Sequence, residues 1–171
     1  MWSASGGVLI VALALVAAGC SDDDNRLKPP PPSGLPSMTV DELLASPDTL
    51  RAGGMMLSAE LYLGRDFMPV APPEGWPLVA FALLNGSPPG NFPPSVSDVY
   101  VWVIRDSSEV WGATMSFQGI DPSRNGAHSY YAAEGPLWGP GILVDVVIGV
   151  RTSPTEVSLA LFRDVRIIMV Q

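Results

Sequence analysis

The sequence predicts a mainly β domain, an antiparallel two-sheet sandwich entered through one short helix. Seven runs of β-branched, aromatic and aliphatic residues follow one another from Met55 to the C-terminal end. Each is separated from the next by Gly, Pro, Asn or Asp, the residues that turns require. Helical patterning ends at Leu44, where Pro47 stops it. The 171 residues, 47% hydrophobic and 15% charged, also describe a folded chain with one core, not a disordered one.

The helix signal is Thr39-Val40-Asp41-Glu42. This is a capping box, in which the Thr hydroxyl and the Glu carboxylate satisfy free backbone donors ahead of Leu43 and Leu44. Strands are expected at Met55–Gly64, Leu78–Leu84, Val96–Ile104, Val110–Phe117, His128–Ala133, Ile142–Val150 and Val157–Val170. In the first, Leu57, Ala59, Leu61 and Leu63 alternate with Ser58, Glu60 and Tyr62, the period of a half-buried strand. Leu78–Leu84 and Val99–Ile104 are apolar on both faces, which suits central strands or strands covered by a second apolar layer. Strand count and spacing resemble an immunoglobulin-like sandwich over residues 53–171, without the paired cysteines of antibody domains. A small antiparallel β-barrel gives the same local pattern and is the alternative.

Three regions are expected: a signal segment at 1–19, a tether at 20–37 and the β domain at 38–171. Val8 to Ala18 is an unbroken run of eleven apolar residues. As a helix it would rise about 16 Å, roughly half the hydrocarbon thickness of a bilayer. Val16-Ala17-Ala18-Gly19-Cys20 follows and resembles the lipobox of bacterial lipoproteins. That resemblance implies cleavage before Cys20, a diacylglyceryl group on its thiol, and residence in the cell envelope outside the cytoplasm. The polar, proline-rich stretch Ser21–Pro36 cannot bury a core and reads as a stalk of up to about 50 Å. Ser21, directly after the cysteine, resembles outer-membrane sorting, on the periplasmic face in a Gram-negative cell.

Composition excludes several functions. The net charge of −8 and the single lysine, Lys28, leave no basic footprint for nucleic acid. With Cys20 used for lipid, no thiol remains for disulfides, cysteine-based zinc sites or thiol catalysis. His128 is the one histidine and lies in a Gly-containing turn entering a strand. No G-x-S-x-G or Gly-rich phosphate loop occurs. No cofactor and no metal is implied, and the sequence reads as a non-enzyme.

The residues that stand out are charged or aromatic interruptions. Asp145 breaks the apolar run Ile142–Ile148. A three-residue loop at Ser153–Thr155, with Thr152 opposite Glu156, would set Asp145 across from Arg163 as a cross-strand ion pair. Arg65 and Asp66 close the first strand as a binding or structural ion-pair candidate; adjacent strand residues point to opposite faces, so each needs a partner elsewhere. Trp138, in a Gly-Pro turn, is a candidate aromatic contact or a cap on the core. The leading functional expectation is a binding or interaction module presented on a lipid stalk, contacting an envelope protein or surface ligand. The alternatives are an accessory subunit of an envelope complex and a carboxylate-dependent hydrolase.

Overall fold

The computed structural model describes residues 34–171. The expected signal segment 1–19, Cys20 and most of the expected tether lie outside the described residues. The elements are α1 (Val40–Leu44), β1 (Leu50–Ala52), β2 (Met55–Asp66), β3 (Val79–Ser87), β4 (Asp98–Arg105), β5 (Glu109–Asp121), β6 (Ala127–Ala132), β7 (Leu143–Ser153) and β8 (Glu156–Val170), with a 3-10 turn at Pro122–Arg124.

The strands form a closed barrel, which overturns the expected two-sheet, immunoglobulin-like sandwich. Around the ring the order is β2-β3-β6-β5-β4-β7-β8, and β8 pairs back onto β2. Strands that alternate in direction can close a ring antiparallel throughout only when their number is even. Seven leave one pair running the same way, here β2 and β8, with Leu63 beside Ile167 and Gly64 beside Ile168. The barrel is therefore mixed, and the antiparallel barrel weighed as the alternative also fails at this seam. Alternation specifies which residues face inward but not which strands from opposite ends of the chain meet, so sandwich and barrel look alike locally.

Alternation places Leu57, Leu63, Ala80, Ala82, Leu84, Val99, Val101, Val103, Val146, Ile148, Ala160 and Ile167 inside, all buried. A small barrel must be filled by its own side chains, and the alanines of β3 and β8 make room for the larger residues facing them. Each fully buried Leu, Ile or Val contributes about 1.5–3 kcal/mol relative to exposure.

The outward faces of β4, β7 and β8 are apolar as well. Tyr100, Trp102, Ile104, Val147 and Leu161 are buried there beneath Leu35, Met38, Val40, Leu43 and Leu44. This strap explains the two-sided hydrophobicity of Val99–Ile104. Its helix carries the expected capping box: Thr39 N donates to Glu42 Oε2 at 2.7 Å, and Glu42 N donates to Thr39 Oγ1 at 3.3 Å. Leu161 N bonds Pro47 O at 2.7 Å, and Arg151 Nη2 bonds Gly34 O at 3.2 Å, tying the strap to the wall.

Other details depart from expectation. β1 was not anticipated; it pairs with β2 across Gly53-Gly54, whose φ values of 54° and 78° suit a tight two-residue hairpin. β5 runs on to Asp121, four residues past Phe117, after an irregularity between Phe117 and Gly119. The β7–β8 turn is Pro154-Thr155, with Ser153 opposite Glu156, not a three-residue loop. The expected offset nevertheless holds from Arg151 opposite Val157 to Val146 opposite Phe162, because the register shifts between Arg151 and Ser153.

Candidate functional site

One wall of the barrel, β2-β3-β6, keeps an aromatic outer face. Leu61, Leu63, Ala80, Ala82, Tyr130 and Ala132 point into the core, so their neighbours Tyr62, Phe81 and Tyr131 point out. Tyr62 is directly across from Phe81, and Phe81 across from Tyr131, which makes a continuous row over three strands about 4.8 Å apart. Tyr62 is 45% exposed and Tyr131 37%. Beside this row the outer surface sinks into a cleft of about 300 Å³ lined by Gly64, Asp66, Trp76, Pro77, Val79, Tyr131 and Val170. Gly64 leaves its floor open, with the Tyr62 ring edge and a Val170 methyl at its margins. Around the ring, this wall lies opposite β4 and β7, which carry the strap.

The wall of the cleft formed by Trp76 is held from inside the barrel by Arg65. That side chain is 3% exposed, and its guanidinium donates to backbone carbonyls only. Nε reaches Trp76 O at 3.0 Å, Nη1 reaches Leu137 O at 3.0 Å and Trp138 O at 3.2 Å, and Nη2 bonds Glu74 O. Its Cζ also lies 5.0 Å from the centre of the Phe67 ring. A buried arginine without a carboxylate is stable only if its donors find acceptors, and the fixed planar fork lets one side chain satisfy carbonyls on two loops at once. Arg65 thus locks the 67–78 and 133–142 connections over the upper end of the barrel, where β2 and β8 finish. The backbone of Asp66 completes the arrangement: its carbonyl accepts from Trp76 N at 2.9 Å, and its Oδ1 accepts from Met68 N at 2.7 Å.

Arg65 and Asp66 therefore act on opposite faces of one strand and form no pair with each other. Trp138 is 9% exposed within the core, with Arg105 Cζ 5.3 Å from its ring centre, so its ring packs inward and not onto a surface ligand. Asp145 and Arg163 come together on the outer face: Nη1 is 3.2 Å from Oδ2. The ladder shifts register there, between Val144 and Val146, and Asp164 N donates to Asp145 Oδ1 at 3.4 Å. With the Arg163 side chain 60% exposed, the pair is worth about 1 kcal/mol or less. Asp145, Asp106 and Asp164 share a shallow depression with Ser107. Among the described residues, no group of three or more His, Cys, Asp or Glu is arranged to hold a metal ion.

At the lower end, His128 stacks on Phe92 of the 88–97 connection, ring centres 3.9 Å apart and 18° from parallel, with Phe117 at 5.5 Å. Burial pushes its pKa below the ordinary imidazole value. The sign follows from linkage: the unfolded chain takes up the proton at the ordinary pKa of about 6.5, while the folded chain resists until a lower pH. Stability is expected to fall with acidification from about pH 6.5 toward that lowered value, then to level off for this group. Urea midpoints between pH 7.5 and 5.5 check it; a His128→Gln variant keeping the full slope would assign the effect elsewhere.

The aromatic wall was not singled out from sequence, although Tyr62 stands at a polar position of an alternating strand and Trp76 in a turn, both weak signs of an outward-facing ring. No family model and no curated protein matches the chain.

Proposed function

We propose that the chain is a lipid-anchored binding module of the bacterial cell envelope, a mixed β-barrel that presents its β2-β3-β6 wall to a ligand or partner. The placement of that wall carries the reading. Residues 34–44 pack on the β4-β7-β8 side, so a tether on Cys20 would join the barrel there. Among the described residues, the side left uncovered is the one bearing Tyr62, Phe81, Tyr131 and Trp76. Exposed aromatic rings beside a concave, Arg-braced cleft make a rigid recognition surface, since rings lose little conformational freedom on binding. The signal-like apolar run and the proline-rich stalk support the anchor.

The anchor is tested on the full chain made in a bacterium with lipoprotein processing. Mass spectrometry is expected to find a mature N-terminus at Cys20 bearing diacylglycerol, and a Cys20→Ser variant is expected to leave the membrane fraction. Any other mature end, or membrane retention of the variant, would overturn the anchor.

A further inference from the structure

We propose that the cleft between Trp76 and Tyr131 is a binding site for an organic cation carrying a methylated or quaternary ammonium group. This deepens the binding-module reading and rests on it. Among the described residues, the lining has one charged residue, the Asp66 carboxylate; every other described side chain in it is aromatic, apolar or proline, apart from the hydrogen of Gly64. Among the described residues, no lysine, arginine or histidine nitrogen comes within 4.0 Å of that carboxylate, although six carboxylate-arginine contacts, made by four arginines, join strand or turn residues elsewhere on the barrel. The adjacent cation, Arg65, is turned inward and spent on carbonyls. Asp66 Oδ1 is fixed by Met68 N, which orients the carboxylate.

A carboxylate without a cationic partner among the described residues, sharing a cleft with Trp76, Tyr131 and apolar side chains, is complementary to a diffuse positive charge. The rings attract the cation through their quadrupoles, and the apolar floor accepts methyl groups that a hydrated ammonium lacks. Trp76 is 48% exposed, so part of its side chain is accessible to an entering ligand. A volume of about 300 Å³ accommodates a headgroup of this size. Polyanions are disfavoured, since the described lining offers no basic side chain and the chain carries a net charge of −8.

The test titrates the full, detergent-solubilised chain with choline and, separately, with 3,3-dimethylbutan-1-ol, its neutral isostere. The readout is the Trp76 indole N–H resonance, assigned by its loss in Trp76→Phe. Choline is expected to shift it saturably, with the alcohol about tenfold weaker. Asp66→Asn, whose amide oxygen can still accept from Met68 N, and Tyr131→Leu are each expected to weaken choline severalfold and leave the alcohol unchanged. Thermal midpoints check that both variants fold. Equal affinity for choline and alcohol, or no loss in Asp66→Asn, would overturn the proposal. A response to chitotriose but not choline would overturn the cation assignment while leaving the cleft a binding site. Silence to all three probes would remove the cleft as a site, with the lipid anchor judged separately by mass.

Discussion

Replacing Arg65 with methionine is expected to destabilise the fold by about 3–5 kcal/mol, because it strips charged donors from four buried or half-buried carbonyls at once. Methionine fills much of the same volume, so the loss measures hydrogen bonding more than packing. Water can restore the carbonyls nearest the surface; Trp138 O, whose bond to Arg65 is fully buried, is the least accessible to it. Lysine should recover less than half the loss, since one ammonium cannot span carbonyls on both the 67–78 and 133–142 connections. Urea denaturation gives the number, and a methionine variant within about 1 kcal/mol of the parent would contradict the assignment. The same variant should change Trp76 before global unfolding, because Trp76 O is one of the released acceptors. Near-ultraviolet circular dichroism would record that change.

Gly86→Ala is expected to be comparably damaging at the other end of the barrel. A Cβ built on Gly86 would lie 1.4 Å from the Asn91 carbonyl oxygen, inside bonding distance. The obstacle is backbone, so it cannot swing away as a side-chain tip does. β3 or the 88–97 connection must move, and that connection carries Phe92, which stacks on His128. A loss of about 2–4 kcal/mol follows from overpacking of this kind. Gly139→Ala is the matched control: nothing lies within 4 Å of its built Cβ, and the change should stay within about 0.5 kcal/mol. Similar thermal midpoints for the two variants would contradict the close approach at Gly86.

The two ends of the barrel are closed by connections whose closing contacts have no periodic signature. Gly86 looks in sequence like any turn glycine, and Arg65 like a strand-end charge. Their importance comes from what the chain brings against them from elsewhere: Asn91 in one case, and the carbonyls of Leu137 and Trp138 in the other. Asp145 is the contrasting case. An acid in an apolar strand asks for a partner, and hairpin geometry between neighbouring strands was enough to point to Arg163, even though the turn itself is one residue shorter than expected. The β1–β2 hairpin was legible and missed, since Gly53-Gly54 after Leu50-Arg51-Ala52 is a two-residue turn signal.

By itself the sequence determined the local facts: which residues are extended, which alternate inward, where α1 is capped, that β4 needs cover on both faces, and that β7 and β8 form a hairpin. Each of these depends on contacts within a few residues or across one turn, where period and turn chemistry carry the information. Tertiary structure alone decided that β8 returns parallel to β2 and closes seven strands into a barrel, that the strap covers the β4-β7-β8 side, and that Tyr62, Phe81, Tyr131 and Trp76 share the side that no other described residues cover. Those outcomes depend on pairings between distant segments. Inward and outward alternation is satisfied equally by an open sandwich and a closed ring, so closure is decided by which edges meet and how small the interior side chains are.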